Sequence, residues 1–261
     1  MRLLVTGGSG YLGSELVRQA GALGWDVTPT SSRDFDVRDE EAVERAVARL
    51  RSEAVVHTAY RQSGPDFWSI NVDGAAVVAR AASRYGARLI HMSTDVVFGG
   101  ERGWYTEEDP PSPVTPYGES KAWAELAVAE AHPSALIVRT SLLYGGPTPS
   151  EHERLALDAA AGEVDVVFFT DEIRCPAHVA DVASALLELV ALEISGPLHV
   201  AGADAASRCE FARLIAGDGV RCGRSTAAGV RRPLDCTLDS SKARALLRTR
   251  LRGVREVLGA R

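Results

Sequence analysis

The sequence predicts an α/β fold built on a doubly wound parallel sheet. Short aliphatic and β-branched runs alternate with helical stretches through the first half of the chain. The runs are nearly continuous in apolar residues, as strands buried on both faces must be. A glycine-rich turn joins the first run to the first helix, which is the layout of a βα unit.

The strands are expected at residues 3–6, 26–30, 54–58, 88–93 and 135–139. Helical patterns at 12–23, 40–50, 66–85 and 116–131 lie between them. Each is long enough for the crossover that parallel neighbours require, and strand twist makes those crossovers right-handed. After Tyr144-Gly145-Gly146-Pro147 the pattern loosens. A helix at 151–161, a strand at 164–169, a helix at 179–192 and a strand at 197–201 are expected next. A helix follows at 207–216, where Ser207 reads as the N-cap with Glu210 three residues on. Residues 1–146, with 178–201 returning, therefore form the sheet domain. Residues 147–177 and 202–238 form a small C-terminal lobe, and 239–261 a terminal helix and tail. The proline- and acid-rich stretch 101–113 reads as a surface loop beside the active site.

The 261 residues carry a net charge of −6 with both signs interspersed, which argues against nucleic-acid or membrane-surface binding. The basic residues thicken after Arg221 and again from Arg244, read as a solvated final helix and tail. No apolar run approaches the ~20 residues of a membrane span. Cys175, Cys209, Cys222 and Cys236 form no CxxC pair and lack a His at metal-ligand spacing. They read as reduced thiols in a cytoplasmic protein, and no metal ligands are assigned.

Gly7-Gly8-Ser9-Gly10-Tyr11-Leu12-Gly13 sets Gly7, Gly10 and Gly13 in a GxxGxxG frame between strand and helix. This is the context in which such glycines serve a dinucleotide: one for the turn, one for pyrophosphate approach, one for helix–strand contact. The helix start at Tyr11 and Leu12 turns its first-turn N–H groups and the positive end of the helix dipole towards the phosphates. The sheet is thus of Rossmann type. At the second strand end, Thr30-Ser31-Ser32-Arg33 has no acid before Asp34. An acid there would bond a ribose 2′-OH, whereas hydroxyls and Arg33 favour NADP(H) and leave NAD(H) open. Asp36 and Val37 beyond it, and Thr58, Ala59 and Tyr60 after the third strand, complete the expected cofactor site.

Tyr117 and Lys121 are four residues apart and so share one helix face. A nearby ammonium favours the phenolate and brings a tyrosine towards useful acidity. Thr94 and Asp95 follow the fourth strand, at the carboxyl edge where open α/β sheets bind ligands. Thr94, Tyr117 and Lys121 are the expected catalytic set.

The order TGGSGYLG, Ser93-Thr94-Asp95, Tyr117-Gly118-Glu119-Ser120-Lys121 and Val138-Arg139-Thr140 resembles the extended short-chain dehydrogenase/reductases. Within that superfamily the chain is most similar to the dTDP-4-dehydrorhamnose reductases, through STDVVFGG, VRTSLLYGG and Arg231-Arg232-Pro233-Leu234-Asp235. The resemblance spans essentially the whole chain, densely to residue 146. It implies NAD(P)H-dependent reduction of the C4 keto group of a nucleotide-linked 4-keto-6-deoxysugar. Tyr117 would donate the proton, Lys121 would tune it and hold ribose, and Thr94 would hold the carbonyl oxygen. Asn71 matches an asparagine that the superfamily uses structurally. Asp95 and Arg232 join Thr94 as expected substrate contacts, the nucleotide end meeting the stretch from Arg231 to Pro233.

Val96, Gly99, Leu142 and Arg174 depart from the family pattern. They fall on the sugar side and leave the sugar open. Two other readings stay open: a nucleotide-sugar epimerase or dehydratase of the same superfamily, and a non-catalytic NADP-binding regulatory subunit. A homodimer is likewise left open.

Overall fold

The structure, a computed structural model, describes residues 1–228 and 232–259. The first half runs β1 (Arg2–Thr6), α1 (Tyr11–Ala22), β2 (Asp26–Thr30), α2 (Glu40–Leu50), β3 (Ala54–His57), α3 (Phe67–Asn71), α4 (Asp73–Arg84) and β4 (Arg88–Thr94). Then come α5 (Pro116–Ala131), β5 (Leu136–Thr140), β6 (Leu143–Tyr144), α6 (Glu151–Ala160), β7 (Val167–Phe169), β8 (Ile173–Arg174) and β9 (Ala177–His178). The chain continues with α7 (Val179–Val190), β10 (Gly196–His199), β11 (Ala206–Ser207), α8 (Arg208–Ala216), β12 (Arg221–Gly223), α9 (Ser241–Leu246) and α10 (Val254–Leu258).

Two compact units result. The first holds residues 1–94, 116–139 and 183–198, and the second holds 95–115, 140–182 and 199–261. The first contains the six-stranded sheet, in the order β10-β5-β4-β3-β1-β2. The β1·β2, β1·β3 and β3·β4 pairs are parallel, with Leu3 opposite both Val27 and Ala54. One sheet face packs Leu4, Val55, Leu89 and Ile137 against α2, α4 and α5. On the other, α1 meets α7, where Ser184 Oγ donates to Gln19 Oε1. Burial on both faces explains the aliphatic runs of β1, β3 and β5, whereas the edge strand β2 is polar and only partly buried. The stretch expected as one helix over 66–85 divides at Val72 into α3 and α4. Asn71, at the break, is turned inward and bonded to the backbone of Arg61.

The second unit departs further from the sequence reading. Among its described residues the strands form three two-stranded sheets, too short to show a period-2 pattern. Residues 101–113 are tied down: Tyr105 stacks on Phe98 at 4.1 Å and donates its N–H to Thr237 O. Gly100, at the end of STDVVFGG, meets the segment 232–235, because Asp235 N–H bonds Gly100 O. A Cβ on Gly100, whose φ is +82°, would lie 2.3 Å from Leu234 N. The expected terminal helix is two short ones, and it is not a solvated element. Val254 and Leu258 are buried with Tyr144 and Phe211, so the apolar residues between the arginines set the packing.

The reading of four reduced cysteines is corrected. Cys209 and Cys222 form a disulfide, with Cα atoms 5.6 Å apart. Folding brings β12 beside the start of α8, a proximity that spacing in the chain does not reveal. Cys175 and Cys236 are buried free thiols, each pushed up to about 12 by burial. No helix among the described residues is long and apolar enough to cross a membrane.

Candidate active site

The sheet order reverses between β1 and β3, which makes the crevice at their carboxyl ends the topological switch point where such sheets bind ligands. Gly7, with φ +75°, turns the chain there, and a Cβ on it would lie 2.7 Å from Ala59 N. Gly13 is tighter still: its Cβ would stand 2.2 Å from Gly7 O. These two glycines therefore serve packing between turn, helix and the β3 loop. Gly10 differs, since a Cβ there would meet only Gly7 O at 3.1 Å. As the N-cap of α1, Gly10 offers no side-chain acceptor to the first-turn amides. A helix start left uncapped in this way fits a pyrophosphate.

At the end of β2, Ser31 donates both its N–H and its hydroxyl to Asp34 Oδ2, which holds that carboxyl below its usual range. The first acid after the strand is thereby turned back on its own turn. Asp36 is clasped by Arg38, bonded at 2.6–3.1 Å, and this holds Asp36 low as well. The Arg33 guanidinium is exposed and has no partner among the described residues. The pattern fits a 2′-phosphate better than a 2′-hydroxyl, because both acids already have partners and an arginine remains. Thr58 Oγ1 donates to Thr6 O at 2.8 Å and so braces β3 against β1.

Tyr117 and Lys121 stand on the first turns of α5. Asn71 fixes this end: its Nδ2 donates to Arg61 O and Ser120 Oγ, and its Oδ1 accepts from Arg61 N. The helix is thereby tied to the loop after β3, and the rings of Tyr60 and Tyr117 come within 5.9 Å. Lys121 is only 3% exposed. Its Nζ donates to Met92 O at 2.7 Å and lies 3.3 Å from His91 Nε2. Burial lowers Lys121 from 10.5 to about 8, partly offset by Glu125. An ammonium has three N–H donors; two are used here, and the third has no acceptor among the described residues. That third donor fits a cofactor ribose.

Thr94 ends β4, half-buried, directly after Ser93. Ser93 Oγ donates to Glu125, which also receives a bidentate ion pair from Arg139 at 2.7 Å. This buried trio pins the strand end to α5. Glu125 falls four residues after Lys121, so the helical spacing alone could have flagged it. The stacked His57 and His91, 5.3 Å apart beneath Lys121, were not legible in that way.

The second unit holds the remaining expected residues. Asp95 is 2% exposed; its Oδ2 accepts from Ser141 Oγ and lies 3.8 Å from Arg174 Nε. Its carboxylate is thus turned into the protein. Arg174 donates to the carbonyls of Ile173, Pro233 and Leu234, which explains how an arginine occupies the position that the family pattern gives to glycine. Arg232, half-exposed, bonds Glu172 at 3.0 Å and lies 5.0 Å above the Phe169 ring. Arg208, missed in the sequence, joins them beside His152, and burial together with the neighbouring Arg174 lowers it to about 10. Arg231 lies outside the described residues.

The model of the RmlD substrate binding domain matches residues 1–260. The chain belongs to that family. Among its relatives, dTDP-4-dehydrorhamnose reductase of Mycobacterium tuberculosis is 35% identical over 227 residues, covering 82% of this chain and 74% of that one. Methionine adenosyltransferase 2 subunit beta of Rattus norvegicus is 31% identical over 280 residues, covering 94% of this chain and 82% of that one. The solved dTDP-4-dehydrorhamnose reductase of Bacillus anthracis, in complex with NADP, aligns with a TM-score of 0.89 at 27% identity. That alignment covers 99% of this chain and 97% of the other, so the RmlD family fold extends through both units.

Proposed function

We propose that this protein uses NADPH to reduce the C4 keto group of a nucleotide-linked 4-keto-6-deoxysugar. The observation that carries the reading is the buried Lys121 ammonium. It is held by two internal acceptors with one donor left over, a turn along α5 from Tyr117 and beside the switch point. A bound reduced nicotinamide supplies the hydride. Tyr117 donates the proton to the carbonyl oxygen, a role that a phenol near an ammonium can fill. Lys121 holds ribose and favours the phenolate that is left. Thr94 holds the carbonyl oxygen, and Ser93, Glu125 and Arg139 fix the strand end that presents it. Gly7, Gly10, Tyr11 and Leu12 form the pyrophosphate turn. Ser31, Ser32 and Arg33 meet the 2′-phosphate, with Asp36 and Val37 beyond them. Thr58, Ala59 and Tyr60 line the nicotinamide side.

Arg232 contributes a cation to the nucleotide diphosphate, supported by its half-exposed guanidinium and the neighbouring Arg208. The inward carboxylate of Asp95, engaged by Ser141 and near Arg174, weighs against a dehydratase-like acid. Trp123 and Leu126, exposed and three residues apart on α5, support a homodimer. The expected compartment is the cytoplasm. The similarity to an adenosyltransferase beta subunit favours one second reading, a cofactor-binding regulatory subunit.

NADPH oxidation against a panel of nucleotide 4-keto-6-deoxysugars, with the product identified, tests both. Turnover of any panel member supports the reductase. Tight NADPH binding with no turnover across the panel supports the regulator.

A further inference from the structure

His57 of β3 and His91 of β4 lie side by side in the interior, each 1% exposed, with ring centroids 5.3 Å apart and planes 26° from parallel. His57 Nδ1 shares a hydrogen bond with Thr6 Oγ1 at 2.6 Å, and His91 Nε2 meets Lys121 Nζ at 3.3 Å. The outer nitrogens, His57 Nε2 and His91 Nδ1, have no partner in the described structure. Two buried polar atoms without partners cost stability, so their retention in one stack calls for a compensating role.

The chemistry of the stack is constrained. Two imidazolium ions beside a buried ammonium would be strongly unfavourable, and burial together with Lys121 drives both rings to the neutral form. A neutral imidazole has one donor and one acceptor nitrogen. Lys121, an ammonium, can only donate, so His91 Nε2 must be the acceptor and Nδ1 must carry the proton. His91 then takes one N–H of Lys121, Met92 O takes the second, and the third is aimed by default.

We propose that His91, held in place by its stack on His57, is a positioning residue for Lys121: it accepts one ammonium N–H and so directs the remaining one to the cofactor. This rests on the proposed reading of Lys121 as the ribose-holding group. The titratable and charged groups around Lys121 are His91 and His57 from the sheet, Glu125 and Tyr117 on its own helix, and Arg139 behind Glu125. The loop after β3 adds Tyr60, whose ring lies 5.9 Å from that of Tyr117. α3 meets α5 through Asn71 and α4 through alanine and valine, while Arg80 and Arg84 pair outward with Glu40 and Glu44.

A pH dependence follows. Lys121 titrates at about 8 instead of 10.5, so the ammonium is present below about 8 and lost as pH rises through it. Removing the acceptor destabilises the ammonium, so His91→Met moves the loss to lower pH. His91→Gln restores a neutral acceptor and moves it back.

The test is NADPH affinity of the full chain from pH 6 to 9.5, read by reduced-nicotinamide fluorescence, which needs no sugar substrate. Expected is a fall in wild-type affinity centred near pH 8, a centre lower by about one pH unit in His91→Met, and recovery in His91→Gln. The same centre in all three proteins overturns the proposal. A wild type that does not bind NADPH at all overturns the cofactor reading instead. Should His91→Met not fold, the wild-type protein still decides: long-range proton–nitrogen NMR must show His91 neutral with the proton on Nδ1. A proton on Nε2 overturns the proposal.

Discussion

Replacing Glu125 by leucine should destabilise the first unit by about 3–5 kcal/mol. The carboxylate is buried and bonded to Arg139 and Ser93, and the two charged side chains are 7% and 4% exposed. Leucine fills a similar volume but leaves the Arg139 guanidinium buried without a counter-charge. Removing one partner of such a pair costs roughly 3–5 kcal/mol, because the remaining charge keeps its full desolvation penalty. At about 2–4 °C per kcal/mol for a chain of this size, the melting temperature should fall by roughly 6–20 °C. Urea unfolding followed by tryptophan fluorescence measures it, since Trp25, Trp68 and Trp123 all lie in the same unit. The double variant Glu125→Leu/Arg139→Met removes the stranded charge and should recover most of the loss. A single variant that loses less than about 1 kcal/mol would refute the reasoning. So would a double variant as unstable as the single one. Because Glu125 also favours the Lys121 ammonium, Glu125→Gln should move the pH-dependent loss of NADPH affinity downward.

Three further outcomes follow from the site. Tyr117→Phe should lose on the order of 10²–10⁴-fold in turnover with cofactor affinity nearly unchanged, because only the proton donor is removed; retention of half the wild-type rate would exclude it as the acid. Arg33→Ala should weaken NADPH on the order of 10- to 100-fold and leave NADH nearly untouched, as loss of a charge-assisted bond predicts; isothermal titration with both cofactors reads the difference, and equal losses would point to a structural role. Arg232→Ala should raise the sugar-nucleotide KM with little change in kcat, the mark of binding shared by ground and transition states. An unchanged KM in a folded variant would remove Arg232 from the site.

The sequence by itself determined the features that depend on local periodicity. Aliphatic runs and helical spacings marked the strands and crossovers of the sheet, and helices 40–50 and 116–131 kept their predicted bounds. The glycine frame could be read because its residues are consecutive and each has a distinct steric task, as the contacts of Gly7 and Gly13 show. Tyr117 and Lys121 could be read because four residues span one helical turn.

Tertiary structure alone decided what depends on distant segments meeting. The His57–His91 stack needs the register of β3 against β4, which pairs His57 directly with His91. The Glu125–Arg139 pair needs α5 laid over β5, and the Cys209–Cys222 bond needs β12 folded back to α8. Asp95 read as a substrate contact because it follows Thr94, yet Ser141 and Arg174 draw it inward from 46 and 79 residues away. Each of these contacts joins segments far apart in the chain, by ion pairing, ring stacking, hydrogen bonding or a covalent bond, and chain spacing carries no record of that geometry.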